Sequence, residues 1–364
     1  MNPHPDHPLY TQAHKTAILM VNLGTPDKPS TFSVAQYLRE FLSDPRVIQI
    51  PKLLWYPILY GIILPFRSPA SAKKYRRVWD DDSPLRTYLH QLVTKLNVSI
   101  PSKSEHEINI YGAMRYGQPS IKHKLNLLQK KGYHQIIVLP LFPQYSAVTT
   151  ASIFDEIATH FKRWPYLPEF RFINTYHDHP LYIQALKAQI QAHWQQTPRG
   201  QHLLFSFHGL PKKQWMQGDP YHCFCQKTAR LVAESLGLLK HEYSVCFQSR
   251  LGPTEWLKPY TEETLCKLAQ NGIQSLDVIA PSFLADCLET IDEIDFEYKA
   301  CFLEHGGKTF HYIKALNDSD ACVSFFKAFI SDLIYTPLRQ YDKLNQAKHS
   351  THIQQPTPTE YEPA

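Results

Sequence analysis

One histidine and a line of carboxylates are the residues of this chain best suited to chemistry. His208 ends the apolar run 202–207 and is followed by Gly209, Leu210 and Pro211. Gly209 and Pro211 turn the chain there. The imidazole is left at a strand end, where it can take a proton, bind a metal or simply hydrogen-bond to a loop. Asp286, Glu289, Glu293 and Glu297 follow at spacings of three, four and four. On a helix those spacings place all four on one stripe. Such a stripe suits a solvated face, with Asp286 and Glu289 favoured near a positive helix N-terminus. It also suits a cation or shared protons, because adjacent acids otherwise repel one another. A neutral imidazole and a carboxylate fit Fe(II), a borderline cation, and the same pair can move protons.

The elements that must position these groups are readable from hydrophobic patterning. Short apolar runs at 17–23, 107–113, 135–141, 202–207, 243–247 and 275–280 predict strands. Segments 33–42, 151–161, 181–193, 228–238, 260–271, 284–303 and 321–334 predict helices. Strands and helices alternate in two blocks, which predicts an α/β fold with parallel sheets covered on both faces. Ligands of such sheets bind beyond the carboxyl ends of the strands. Both His208 and the start of the acidic helix fall there. The alternation breaks at 163–168, the expected crossing between domains. Aromatic and polar clusters follow other strands: Met114 to Gly117, Pro143 to Ser146, Gln248 to Pro253 with Trp256, and Phe283. Flat rings and guanidinium groups suit a flat ligand that carries carboxylates. With 21 Tyr and 19 Phe in the chain, chance also puts aromatics after strands.

Length and composition narrow the classes. A chain of 364 residues with 43% hydrophobic and 20% charged content predicts a soluble globular protein of two domains, or of one large domain with insertions. The net charge of +5 has no long basic stripe behind it; Lys73, Lys74, Arg76 and Arg77 form the tightest cluster. That argues against nucleic acid as a partner. Neither G-x-G-x-x-G nor G-x-x-x-x-G-K occurs, so dinucleotide and ATP readings lack a phosphate loop. The seven cysteines are odd in number and contain no C-x-x-C, which predicts reduced thiols in a cytoplasmic protein, most of them buried as small hydrophobes. Cys223 and Cys225 alone are a weak metal signal. The first residues lack the pattern of a signal peptide. Residues 53–66 are apolar but only 14 long and are broken by Pro57 and Pro65, too short for the roughly 20 residues of a spanning helix. They suit a core segment, or an exposed lip that touches a membrane or a greasy ligand.

Eight segments taken together resemble the ferrochelatase family. They are Asn22-Leu-Gly-Thr-Pro26, Tyr75-Arg-Arg77, Arg115-Tyr-Gly117, Leu139-Pro-Leu-Phe-Pro-Gln-Tyr-Ser146, Ser206-Phe-His-Gly-Leu-Pro211, Gly218-Asp-Pro-Tyr221, Phe247-Gln-Ser-Arg-Leu-Gly-Pro253 with Trp256, and 283–289 with Glu293. They stand in the family's order over about residues 16–335. The resemblance implies two Rossmann-like lobes around a porphyrin cleft: 16–165 with the apolar lip 53–66, and 166–315. A helix at 316–336 would return to the first lobe, with 1–15 an extension and 337–364 a disordered tail. It implies insertion of Fe2+ into protoporphyrin IX, the last step of haem synthesis, with release of two protons. It assigns metal binding and proton removal to His208 and Glu289, with Asp286 and Glu293 as the acidic stripe beside them. Arg76, Arg77, Arg115, Tyr116, Tyr145, Gln248, Trp256 and Phe283 are the expected cleft residues. Some relatives hold an iron–sulfur cluster on C-terminal cysteines. No cysteine follows Cys322 here, so no cluster and no cofactor beyond substrate iron are expected. Leu23 occupies a place where some relatives carry a possible ligand, and Leu cannot ligate. The apolar lip favours protoporphyrin over coproporphyrin and fits peripheral contact with the inner face of a membrane.

Overall fold

The computed structural model describes residues 14–100, 106–252 and 254–334. The expected tail at 337–364 and nearly all of the extension at 1–15 lie outside them. Strands β1 (His14–Gly24), β2 (His106–Tyr116), β3 (Gln135–Pro140) and β4 (Glu169–Phe172) form one parallel sheet in the order β2-β1-β3-β4. Strands β5 (His202–His208), β6 (Tyr243–Gln248), β7 (Ser275–Ile279) and β8 (Thr309–Ile313) form a second in the order β6-β5-β7-β8. Each central strand is apolar on both sides because helices cover both faces. Ala17, Ile18, Leu19, Met20 and Val21 of β1 are all fully buried, as are Leu204, Phe205 and Phe207 of β5. One core runs through both lobes, from Ile18 and Met20 to Leu203 and Phe205. The last helix, 320–334, belongs to it through Phe325, Phe326 and Phe329, which stack around Tyr176. The Arg171 Nη1 on β4 donates to the Leu333 carbonyl at 2.7 Å, tying that helix to the first sheet.

Two expectations about elements are corrected. The crossing between lobes does not fall at 163–168, nor the lobe boundary at 165, because Glu169–Phe172 pairs with β3 in register Gln135 to Glu169. This edge strand is short and carries Glu169 and Arg171, as edge strands often do, which hid it from a search for apolar runs. The acidic helix does not begin at 284. The backbone N–H of Asp286 is taken by the Asn317 side chain and that of Cys287 by the Thr290 hydroxyl. A π-helical stretch, π3 (Glu289–Tyr298), follows, then α11 (Lys299–Glu304).

Residues 53–66 become α2 (Lys52–Ile58), a π-helical turn (Leu59–Ile63) and the start of α3 (Leu64–Val78). Leu59 is buried, but Leu53 is 87% and Phe66 77% exposed, so the segment is an apolar lip rather than core. No helix among the described residues is long and apolar enough to cross a membrane.

Candidate active site

His208 is the last residue of β5, paired with Gln248 of β6. Its Nδ1 lies 2.7 Å from the Gly209 carbonyl. A carbonyl only accepts, so Nδ1 carries the proton and the lone pair is left on Nε2. The turn that follows needs glycine: a Cβ on Gly209 would meet the Gln248 carbonyl at 2.7 Å and the Trp256 ring at 3.1 Å. Trp256 thus backs the turn, with its Nε1 donating to the Leu251 carbonyl.

Glu289, the first residue of π3, lines the same cavity as His208. Phe283, Phe142, Leu85 and Leu288 form apolar wall, and Leu23 and Tyr75 come from the first lobe. The space between them is about 60 Å³. The Glu289 charge reaches several neighbours. Burial pushes the Tyr37 and Tyr75 phenols up, and Glu289 adds to both shifts. The Cys287 thiol is raised by burial and then by Glu289. Arg67 on α3 has its guanidinium pKa lowered by burial, with Glu289 acting in the opposite direction. Arg67 was not among the expected residues. It sits one position past the apolar run, where a cation reads as the end of a greasy segment.

The acidic stripe divides. Glu293 accepts from the Ser249 N–H at 2.8 Å, the Ser249 hydroxyl, the Gln248 Nε2 and the Tyr298 hydroxyl. It faces a second, polar pocket shared with Glu262, Glu263 and Glu297. Asp286 leaves the stripe altogether. It is buried and accepts from the Tyr312 hydroxyl at 2.7 Å, the Asn317 Nδ2 at 2.7 Å, the Thr290 hydroxyl and the Ala315 N–H. It holds the loop after β7 to the loop after β8. Asp286→Ala should therefore cost about 3 kcal/mol or more, since several buried donors lose their acceptor. Urea denaturation reads this directly, and an unchanged midpoint would contradict the structural role.

Most expected cleft residues lie elsewhere; Phe283 is the one that lines the cavity with His208 and Glu289. Arg77 pairs with Asp292 at 2.7 Å and covers the Phe296 ring, while Lys74 pairs with Glu297 at 2.6 Å. Those ion pairs brace α3 against π3. Arg76 is exposed and donates to the Ala72 carbonyl within its own helix. Arg115 and Tyr116 both bind Asp44, at 2.7 and 2.8 Å, and also contact Ser152. Gln248 is buried between Ser206 and Glu293. Tyr145 is half-buried near Arg46 and Asp219, outside the cavity. Tyr145 and Trp256 follow strands, and Arg115, Tyr116 and Gln248 end them, but strand-end position does not say which way a side chain turns. Asp219 has a clearer role. It accepts from the Ser146 hydroxyl and the Ala147 N–H, fastening the loop after β3 to the second lobe.

Comparisons with known proteins agree with this architecture. The fold is similar to SirB from Bacillus subtilis, solved with Fe3+, with a TM-score of 0.51 at 15% identity, covering 87% of this chain and 95% of that one. The chain is 50% identical over 310 residues to the ferrochelatase of Janthinobacterium sp. (strain Marseille), covering 85% of this chain and 84% of the relative. It is 50% identical over 319 residues to that of Herminiimonas arsenicoxydans, covering 87% and 86%. The ferrochelatase family profile matches residues 15–333, and the chain belongs to the ferrochelatase family.

Proposed function

We propose that the protein inserts ferrous iron into protoporphyrin IX to give protohaem, with His208 and Glu289 as the working pair. The observation that carries this reading is their shared cavity. An imidazole with a free Nε2 lone pair and a carboxylate lie together among aromatic and aliphatic side chains. Two pyrrole N–H protons must leave as Fe(II) enters the ring. Nε2 of His208 accepts the first. Glu289 meets the incoming cation and hands protons toward Glu293 and the polar pocket beyond it. Both groups come from the second lobe, while Leu23 of the first lobe offers the ring a wall without a metal ligand. A planar macrocycle hides its nitrogen lone pairs, so contacts along its edge must hold it bent.

The space beside His208 and Glu289 is about 60 Å³, below the roughly 300 Å³ of a small-molecule pocket, so a porphyrin must extend beyond it. The exposed Leu53, Leu54 and Phe66 on the apolar lip suit a protein of the cytoplasm that takes a greasy ring from the membrane surface. Iron remains Fe(II) throughout this scheme, which requires no electron transfer and hence no resident cluster or other cofactor. The partners are the porphyrin and ferrous iron, not nucleic acid.

Anaerobic incubation with protoporphyrin and Fe(II), or Zn(II) as a stable substitute, followed through the porphyrin spectrum, tests this. Metallation well above the blank is expected, faster with protoporphyrin than with coproporphyrin. A rate equal to the blank would overturn the reading.

A further inference from the structure

Away from the cleft, three side chains of the second lobe converge. Cys266 lies on α10 (Thr261–Gln270), Cys301 on α11, and His305 just past the end of α11. The two sulfurs are 3.7 Å apart, and Cys301 Sγ is 3.9 Å from His305 Nδ1. One ligand atom from each residue can be chosen so that all lie within 4.8 Å of one another. We propose that Cys266, Cys301 and His305 form a binding site for a borderline-to-soft divalent cation such as Zn2+ or Co2+, separate from the site of porphyrin metallation.

The geometry favours a shared cation. With zinc–sulfur bonds of about 2.3 Å at a tetrahedral angle, two thiolate ligands stand about 3.8 Å apart. The observed sulfur separation is close to that. His305 Nδ1 lies 2.8 Å from the Cys301 carbonyl, which can only accept. The proton is therefore on Nδ1 and the lone pair on Nε2, the arrangement that orients metal-binding imidazoles. Ligation through Nε2 requires the exposed His305 ring to rotate toward the two sulfurs. A bound cation displaces both thiol protons to solvent. Water can fill the fourth position.

A second cluster, His193, Asp277 and His311, is less open. Both Asp277 oxygens already accept, from Trp194, the Gly200 N–H and His311.

Binding would join α10 to α11 and so anchor the far end of π3, whose first residue is Glu289. The test uses the full chain, stripped of metal under anaerobic, thiol-free reductant and titrated with Co(II). One equivalent should produce a sulfur-to-cobalt charge-transfer band and the visible bands of a tetrahedral ion. The double variant C266S/C301S should lose the charge-transfer band and keep its porphyrin metallation rate. His305→Ala, at an exposed position, should weaken Co(II) binding about 10-fold or more. Absence of the band in the wild type would overturn the proposal. So would its survival in the double variant, which would point to another thiol such as Cys287. Air oxidation of Cys266 and Cys301 to a disulfide without Co(II) binding under reduction would also overturn it.

Discussion

Replacing His208 by alanine should lower porphyrin metallation by about 10²–10⁴-fold, the usual worth of a positioned general base, and leave porphyrin binding nearly intact. The expectation follows from where the residue's bonds go. The His208 backbone is held by the β6 pairing and by Ser282, and neither contact involves the ring. The imidazole makes one hydrogen bond to the adjacent carbonyl and otherwise faces the cavity. Truncation removes the Nε2 lone pair without unseating the strand. Initial rates of Zn(II) insertion, paired with quenching of porphyrin fluorescence, separate catalysis from binding. Activity near that of the wild type would exclude His208 as the proton acceptor.

Glu289→Gln should lower kcat by about 10²-fold or more, with a smaller effect on the KM for porphyrin. The substitution keeps size and removes only charge. Without that charge Arg67 loses the anion that favours its protonated form, and Tyr37, Tyr75 and Cys287 lose one of the influences that raise them. The loss should be larger than for Glu293→Gln, because Glu293 is outside the cavity and is held by four donors. Equal rates for the wild type and Glu289→Gln would assign the metal step elsewhere.

Much of the scaffold is legible in the chain because central strands of parallel sheets are apolar on both faces. The runs 17–23 and 202–207 announce β1 and β5 for that reason. His208 is legible too, since a strand must stop before Gly209 and Pro211. Other features depend on partners distant in sequence. Asp286 counts as part of a helical stripe until Asn317, 31 residues on, is seen to take its backbone N–H. Arg77 reads as an unpaired cation in the linear chain, whereas the fold sets Asp292 2.7 Å from it. Helix α4 (Pro84–Ser99) buries Leu85, Leu89, Leu92 and Leu96, a helical spacing that the expected elements do not include.

The two sheets share one strand order, and this aligns segments that look unrelated in the linear chain. Leu23-Gly24-Thr25-Pro26 closes the central strand of the first sheet, and His208-Gly209-Leu210-Pro211 closes that of the second. Pro143, Tyr145 and Ala147 after β3 likewise match Pro281, Phe283 and Ala285 after β7. The lobes are thus variations on one backbone theme, and the one-sidedness of the chemistry resides in side chains alone. For protein design this makes a second ligand a local problem. A metal-binding group on the opposite wall is one substitution away, at Leu23, with its strand, turn and supporting loop already built.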